Sequence, residues 1–477
     1  MRSLVNRIHT SWLVVRLQMT SGAIKKQGFF YNLLVTHIFF PFINRFLKNI
    51  VDKSSEALYI QLTSTGHGSK YGRGGTKGAV TMFIDNPIHF CWLMILDEKM
   101  GLGEAYMAGD WRAEPNPTEF LKLLIRAKSS SPHRSFILRN FNYRIPEEKA
   151  ASRKPSSKSS RGSFFATVIG LLLGFVRKVT AVVNYIQHRI RDNTVAQSAK
   201  NIEEHYDLGN DMFELFLDNT MTYSCALFEK PGHRVEKVDF DELEKAQLKK
   251  IDTLIDMLDL KETDKVLEIG CGWGAFAIRG VQRSGCQWTG LTISHEQLAL
   301  GKERVKAAGL EDKIDLKIQD YRLAQGSYTK VISVEMIEAV GHAFLPQYFQ
   351  VISDRLVPGG KAVIQAIICP DAYYERYSKS SDFIKKYIFP GGHMPSLGAI
   401  NAALPNDLRF GEKHHIGRHY ATTLDHWYSA WMMCEKDTLA LGYSETFHRR
   451  WQYYFCLCSA LFANDHIDAV QFVLNKC

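Results

Sequence analysis

Thirteen residues, VLEIGCGWGAFAI at positions 266–278, constrain this chain more than any other stretch. Val266, Leu267 and Ile269 read as the end of a buried strand, and Ala275, Phe276, Ala277 and Ile278 restart an apolar pattern that suits a helix. Between them, Gly270, Gly272 and Gly274 strip side chains from a backbone that must turn sharply and approach something closely. Strand, glycine loop and helix form the opening unit of a nucleotide-binding α/β sheet, whose helix N-terminus offers free N–H groups to polar ligand atoms. A glycine-rich turn with no ligand is the competing reading, so the strands that follow must decide.

From residue 201 onward the rhythm is β/α, with strands expected at 265–269, 288–292, 314–318, 330–334 and 361–368. Helical stretches separate them, which predicts a doubly wound, mostly parallel sheet. At 477 residues the chain has room for two or three domains. ALYIQLTSTG and GAVTMFID read as strands of a smaller α+β domain over 57–145, followed by a helix, a break at the glycines after residue 100, and an aromatic corner. Residues 151–163, ASRKPSSKSSRGS, form a Ser/Lys/Arg linker that cannot bury a core. This leaves 1–56 as an N-terminal extension, 146–200 as a basic connecting segment and 201–477 as the larger domain.

The net charge of +9 is unevenly placed. Residues 1–51 carry +7 and residues 149–200 carry +9, so the rest of the chain is net acidic. Both basic segments adjoin apolar runs, the uncharged stretch 27–44 and the thirteen residues FFATVIGLLLGFV at 164–176. Thirteen residues are too few to cross a bilayer, and Asn32, His37 and Pro41 weaken 27–44 as a span. Localised basic charge beside such runs predicts peripheral attachment to an anionic membrane surface, with a core helix between domains as the alternative for 164–176. An acid-free, Arg/Lys-bearing N-terminus also suits a mitochondrial address; otherwise a cytoplasmic, membrane-associated protein is expected. No zinc-finger spacing or aromatic-basic RNA motif is present, so nucleic acid is not an expected partner. The nine cysteines form no CxxC pair, as expected of reduced intracellular thiols. Cys456 and Cys458 make a CxC, and His414, His415 and His419 cluster at a spacing that suits one helix face; neither reads as a designed metal site.

The ligand over the glycines is narrowed by what is missing. Strand two ends in Thr292, with Ser294, Glu296 and Gln297 following, and has no acid at its tip for ribose hydroxyls. No lysine follows the glycines, so the loop is not a P-loop. Asp320, after strand three, is placed for an adenine amino group. An adenosine ligand without pyrophosphate fits, and S-adenosylmethionine is one.

At residues 205–229, HYDLGNDMFELFLDNTMTYSCALFE, the chain resembles the cyclopropane-fatty-acyl-phospholipid synthase family of methyltransferases. VLEIGCGWG, GLTISHEQ, QDYR, MIEAVG and SSDFIKKYIFPGGHMPS follow in that family's order, in wording nearest its eukaryotic branch, and GLGEAYMAGDW at 101–111 resembles its smaller N-terminal domain. The resemblance implies a class I S-adenosylmethionine-dependent fold. It places Tyr206, Tyr223 and Ser224 near the amino-acid end of the cofactor, Leu267, Glu268, Gly270, Cys271, Gly272, Trp273 and Gly274 in the loop, Thr292 and Gln297 on the ribose and adenosine, and Asp320 and Tyr321 beside the adenine. It also implies a bound bicarbonate as proton acceptor, held by Cys225, Glu338, Gln365, Ile367 and Tyr420, with Glu338 the essential carboxylate. Gln365 and Ala339 stand where bacterial members carry histidine. Cys458 matches the cysteine the family designates as nucleophile, although alkene methylation needs no covalent adduct and a structural role competes.

The expected reaction is methylation of a cis double bond in an unsaturated phospholipid acyl chain. Attack on the sulfonium methyl leaves a carbocation, and loss of a proton closes a cyclopropane or leaves a branch. Dry apolar walls and one placed base are what that chemistry requires. An amine N-methyltransferase and an inactive lipid-binding scaffold are the alternatives, and relatives lead one to expect a homodimer.

Overall fold

The computed structural model describes residues 29–129 and 208–477, apart from 53, 76–78 and 234. These fall into two compact units, one on each side of residues 130–207. Tyr206, the linker 151–163, the apolar run 164–176 and residues 1–28 lie outside the described residues.

In the first unit, four strands form one sheet. They are β1 (Leu58–Leu62), β2 (Gly68–Tyr71), β3 (Val80–Ile84) and β4 (Trp111–Glu114), in the order β2-β1-β3-β4. β1 runs parallel to β3 and the other pairs are antiparallel. Alternate residues of β1 and β3, Leu58, Ile60 and Leu62 with Val80, Met82 and Ile84, are buried, the period-two pattern of a sheet with one covered face. The helices Phe40–Val51, Pro87–Leu96, Glu98–Met107 and Pro117–Ser129 complete the unit. Ile43, Leu47, Ile50 and Val51 are buried, so much of the apolar content near the start of the chain is packed within this unit. No helix among the described residues is long and apolar enough to cross a membrane.

The expected glycine break after residue 100 is displaced. The break comes at Asp97, whose extended backbone ends one helix and whose Oδ1 accepts from Met100 N at 3.3 Å to begin the next. Gly101 lies inside the second helix, where a Cβ would come within 2.5 Å of Leu93 O. The glycine permits close helix approach and does not end a helix.

The second unit holds a seven-stranded sheet: β5 (Lys265–Ile269), β6 (Gln287–Thr292), β7 (Ile314–Ile318), β8 (Tyr328–Val334), β9 (Leu356–Ile368), β10 (Leu408–His415) and β11 (Asp468–Lys476). Their order is β10-β11-β9-β8-β5-β6-β7. β5 through β9 are mutually parallel, and β11 lies antiparallel between β9 and β10. The strand order reverses between β5 and β8, which opens a crevice beyond their carboxyl ends. Residues along β5 divide between the two faces. Val266 joins Ile251, Leu254 and Leu258 of the helix Phe240–Leu258 and Phe276 and Val281 of the helix Ala275–Ser284. Leu267 and Ile269 join Tyr348, Phe349 and Ile352 of the helix Leu345–Arg355 on the other face. Both faces being covered explains the unbroken apolar run in sequence.

The five expected strands are present, with β8 and β9 starting earlier than their patterns suggest. The histidine cluster does not lie on one helix face: His414 and His415 end β10, whereas His419 is on the helix Gly417–Met433. His415 pairs with Asp468 at 2.6 Å, and His419 Nδ1 accepts from Phe228 N.

Candidate active site

The glycine loop sits at the reversal point. Gly270, Gly272 and Gly274 have φ of 84°, 50° and 83°, the left-handed region that L side chains resist. Gly270 N and Cys271 N both donate to Leu291 O at 2.9 Å, which folds the loop back over β6. Beneath it Gly290 must be bare, because a Cβ there would meet the Cβ of Cys271 at 2.9 Å. Gly272 is different, with nothing within 4 Å of where its Cβ would be. That open side is a cradle for a ligand. Trp273 holds the loop through Nε1 donating to Asn210 Oδ1 at 2.7 Å.

Across the crevice, Thr292 Oγ1 donates to Gln297 Oε1 at 2.9 Å and accepts from Ser294 N at 3.1 Å. Asp320 is not free as expected: both of its oxygens bond Arg322, at 2.8 Å to Nε and 2.6 Å to Nη2, and its Oδ1 caps Arg322 N. Asp320 therefore first holds the turn that carries Tyr321, whose ring meets Tyr348 edge-on at 5.5 Å. Burial pushes the Tyr321 phenol up to about 12, so it stays neutral. Glu268, assigned to the loop, is buried and accepts from Trp288 Nε1 at 2.8 Å. The open cradle and the Thr292–Gln297 pair together fit an adenosyl ligand.

Directly beside the loop, Met336 packs under Gly270, so the turn following β8 and the glycine loop touch. This turn carries two carboxylates, Glu335 and Glu338. Glu335 has φ of 50°, an uncommon conformation for a residue with a Cβ. Its N–H donates to Gln365 O at 2.8 Å. Three donors surround its side chain: Cys225 N at 3.0 Å and Gln365 Nε2 at 2.8 Å reach Oε1, and Tyr420 OH reaches Oε2 at 2.6 Å. Gln365 is fixed in turn by Gln471 Nε2, which donates to its Oε1 at 2.9 Å across the β9–β11 pair. Glu338 Oε1 accepts from Ile367 N, while its Oε2 is buried without a partner. Burial pushes both carboxyls up, Glu338 to about 8 with the neighbouring Glu335 adding to the rise. Glu335 is restrained by its three donors and by the charge of Lys250.

All five residues assigned to a bicarbonate thus converge, but not around an open anion site. Cys225 N, Gln365 and Tyr420 already donate to Glu335, and Ile367 N is taken by Glu338. The Cys225 thiol turns away, toward the carbonyls of Ala226 and Ile416. A bicarbonate placed here would meet occupied donors and an adjoining carboxylate, so the residues present do not fit one. Cys458 lacks the features of a nucleophile, since burial and nearby Asp382 hold its thiol protonated.

Lys250 lies deep beside this group. It is fully buried on the helix Phe240–Leu258, donates to Ser224 Oγ at 2.7 Å and lies 4.8 Å from the centre of the Phe276 ring. Burial pulls its ammonium down to about 8, against the opposing pull of Glu335. Ser224 is therefore tied to Lys250. Tyr223 instead enters an aromatic wall: its hydroxyl donates to Tyr454 OH at 2.9 Å, and its ring lies 5.1 Å from Trp427, 6.4 Å from Phe389 and 6.5 Å from Trp451. Trp427 also meets Tyr420 edge-on at 6.1 Å, joining the wall to the carboxylates. Packed aromatic rings of this kind exclude water.

Sequence reasoning missed Glu335, Lys250 and Gln471. Glu335 had a signal, an acid at the carboxyl end of a core strand three residues before Glu338. So did Lys250, which shares a helical stripe with Leu243, Gln247 and Leu254, all buried. Gln471 had none, because its partner lies 106 residues away. Elsewhere, His233, Glu242 and His426 bring ligand atoms within 4.8 Å of one another. His426 Nδ1 accepts from Asp239 N, so the ring proton falls on Nε2 and no lone pair there faces a cation.

Comparison with known proteins bears on the second unit. A family described as mycolic acid cyclopropane synthetase matches residues 193–472. The chain is 39% identical over 287 residues to the tuberculostearic acid methyltransferase UfaA1 of Mycobacterium tuberculosis, covering 60% of this chain and 67% of that one. It is 34% identical over 279 residues to the cyclopropane-fatty-acyl-phospholipid synthase of Escherichia coli, covering 57% and 67%. Among solved structures, the cyclopropane synthase MmaA2 from Mycobacterium tuberculosis superposes with a TM-score of 0.53 at 29% identity, over 58% of this chain and 98% of that one. The mycolic acid cyclopropane synthase CmaA1 complexed with SAH and CTAB gives the same four values.

Proposed function

We propose, from the premise that this chain belongs to the mycolic acid cyclopropane synthetase family, that it methylates the cis double bond of unsaturated phospholipid acyl chains to form cyclopropane chains. The protein is an S-adenosylmethionine-dependent methyltransferase with the class I, Rossmann-like fold, and its family acts on lipid acyl chains. The phospholipid form of the substrate and the cyclopropane product are the finer reading.

One observation carries that reading: the turn that bears an enclosed carboxylate pair touches the glycine loop through Met336, and Tyr420 links Glu335 to the aromatic rings. S-adenosylmethionine, when bound, supplies an electrophilic methyl group. The chain's own residues do the rest. Gly270, Gly272, Thr292 and Gln297 orient the adenosyl part. Tyr223, Trp427 and Trp451 keep water from the carbocation formed on the acyl chain, and a carboxylate accepts the proton that must leave. An amine N-methyltransferase would need no such base buried behind apolar rings. Peripheral membrane attachment through the basic segments belongs to the same proposal.

The test offers isotopically methyl-labelled S-adenosylmethionine to the full chain with vesicles of unsaturated phosphatidylethanolamine, alongside a panel of small amines. Mass spectrometry of released fatty acids should show a gain of one methylene unit carrying the label. Label in the amines with none in the lipid would overturn the proposal.

A further inference from the structure

We propose that Glu335 is the catalytic base of this enzyme, an internal carboxylate standing where the family resemblance puts bicarbonate, so that turnover requires no bicarbonate. The inference rests on the lipid-methylation reading above.

Four observations carry it. A carboxylate and a bicarbonate share the same planar O–C–O unit, and here that unit is supplied by the chain. Cys225 N, Gln365 Nε2 and Tyr420 OH converge on the two Glu335 oxygens from three separate segments. Such a donor ring is what an anion needs and what a neutral side chain would waste. Next, the backbone at Glu335 adopts a φ of 50°, a left-handed conformation that strains a residue with a Cβ. That conformation aims the side chain into the ring, and the surrounding β9 contacts, including Glu335 N to Gln365 O, hold it there.

The third observation concerns the neighbour. Glu338 has one oxygen on Ile367 N and the other buried without a partner, the environment of a carboxyl that keeps its proton. Burial raises the Glu335 carboxyl too, but its three donors and the Lys250 charge oppose that rise, and the donor geometry makes it the member of the pair built to carry charge. Two carboxyls in unlike surroundings divide into one acid and one base. Finally, Met336, the residue after Glu335, packs against Gly270, so the turn that carries the base touches the glycine loop.

The alkene π pair forms the new C–C bond to the methyl carbon, and the C–S pair stays on sulphur, giving S-adenosylhomocysteine. Positive charge appears on the other alkene carbon. A Glu335 oxygen takes one proton from the delivered methyl group, the released C–H pair closes the ring, and Glu335 ends as a neutral acid. The proton passes to solvent before the next turnover.

The test measures lipid methylation by the full chain in buffer depleted of carbon dioxide, with and without added bicarbonate. The parent should work at the same rate in both. Glu335→Gly, which suits the left-handed backbone, should lose about 10²-fold or more in depleted buffer. It should regain activity saturably with bicarbonate, which then fills the vacated donor ring. Glu335→Gln, nearly isosteric, should lose as much and not be rescued. A second readout uses ¹³C-bicarbonate: its NMR signal should broaden with Glu335→Gly and not with the parent. Bicarbonate-dependent turnover by the parent, saturable binding of the label to it, or full activity of Glu335→Gly without bicarbonate would overturn the inference. A parent inactive on lipid would sink the lipid proposal instead, and the labelled-bicarbonate titration would still decide whether Glu335 occupies the anion site.

Discussion

At the scale of single residues, two neighbouring acids three positions apart both have their pKa raised by burial but differ in what faces them. Glu338 has one donor and one unpartnered oxygen, so burial dominates and its carboxyl titrates at about 8. Near neutral pH it is mainly a neutral acid, which an amide imitates well. Glu338→Gln should therefore lose less than about tenfold in turnover near pH 7, well short of the loss expected when a general base is removed. This moves the essential role from Glu338, where the resemblance puts it, to Glu335. Tyr420 gives a second handle. Its hydroxyl stabilises the ionised Glu335, so Tyr420→Phe raises the pKa of that carboxyl. A base must be ionised to accept a proton, and the acid limb of the pH–rate profile should move to higher pH. An unmoved acid limb would show that Glu335 is not the titrating base.

At the scale of elements, the glycine loop and the turn after β8 work as one piece. The loop is bare for two distinct reasons: Gly290 makes room beneath it, and Gly272 leaves room above it. Gly272→Ala should separate binding from stability. The methyl group enters open space, so packing is unharmed, but the left-handed backbone is strained by roughly 1 kcal/mol and the cradle is filled. Isothermal titration should show S-adenosylmethionine affinity falling at least about tenfold, a difference of ~1.4 kcal/mol, while the melting temperature drops by only a few degrees. The central parallel strands were legible because they carry apolar residues covered on both faces, and β7, at the sheet edge, because Ile314 and Leu316 alternate with exposed residues. β10 was not: its sequence LRFGEKHH has one buried residue at its start and is otherwise mostly exposed, as an edge strand should be.

At the scale of the whole molecule, charge placement bears on stability and, in the proposal above, on membrane attachment. Glu268 is buried and titrates at about 8, well above the ordinary carboxylate range. A carboxyl whose folded pKa is raised contributes stability that is complete below its unfolded pKa and is lost as pH rises through the folded value. The parent should accordingly lose stability between about pH 4.5 and 8 through this group. Glu268→Gln keeps an acceptor for Trp288 and cannot ionise, so its melting temperature should fall less over that interval. Equal slopes for the two proteins would mean that Glu268 does not titrate there. The basic surplus lies in segments 1–51 and 149–200. Deleting 164–178 should weaken co-sedimentation with anionic vesicles, more so at low salt, where surface charge is least screened. Unchanged co-sedimentation would assign that stretch to packing between domains.

The amino-acid sequence alone determined the parallel sheet and the glycine loop, because strand periodicity and turn chemistry are local properties that residues a few positions apart express by themselves, while most of the set of residues that gather at the sheet's edge were named by the family resemblance and not by any local pattern. Only the tertiary structure decided what that set surrounds. Cys225, Glu335, Gln365 and Tyr420 come from segments separated by up to 195 positions, and no local pattern says whose side chain fills the space among them. The backbone at Glu335 turns its carboxylate into that space, and electrostatics then leaves room for one anion where the resemblance had placed another.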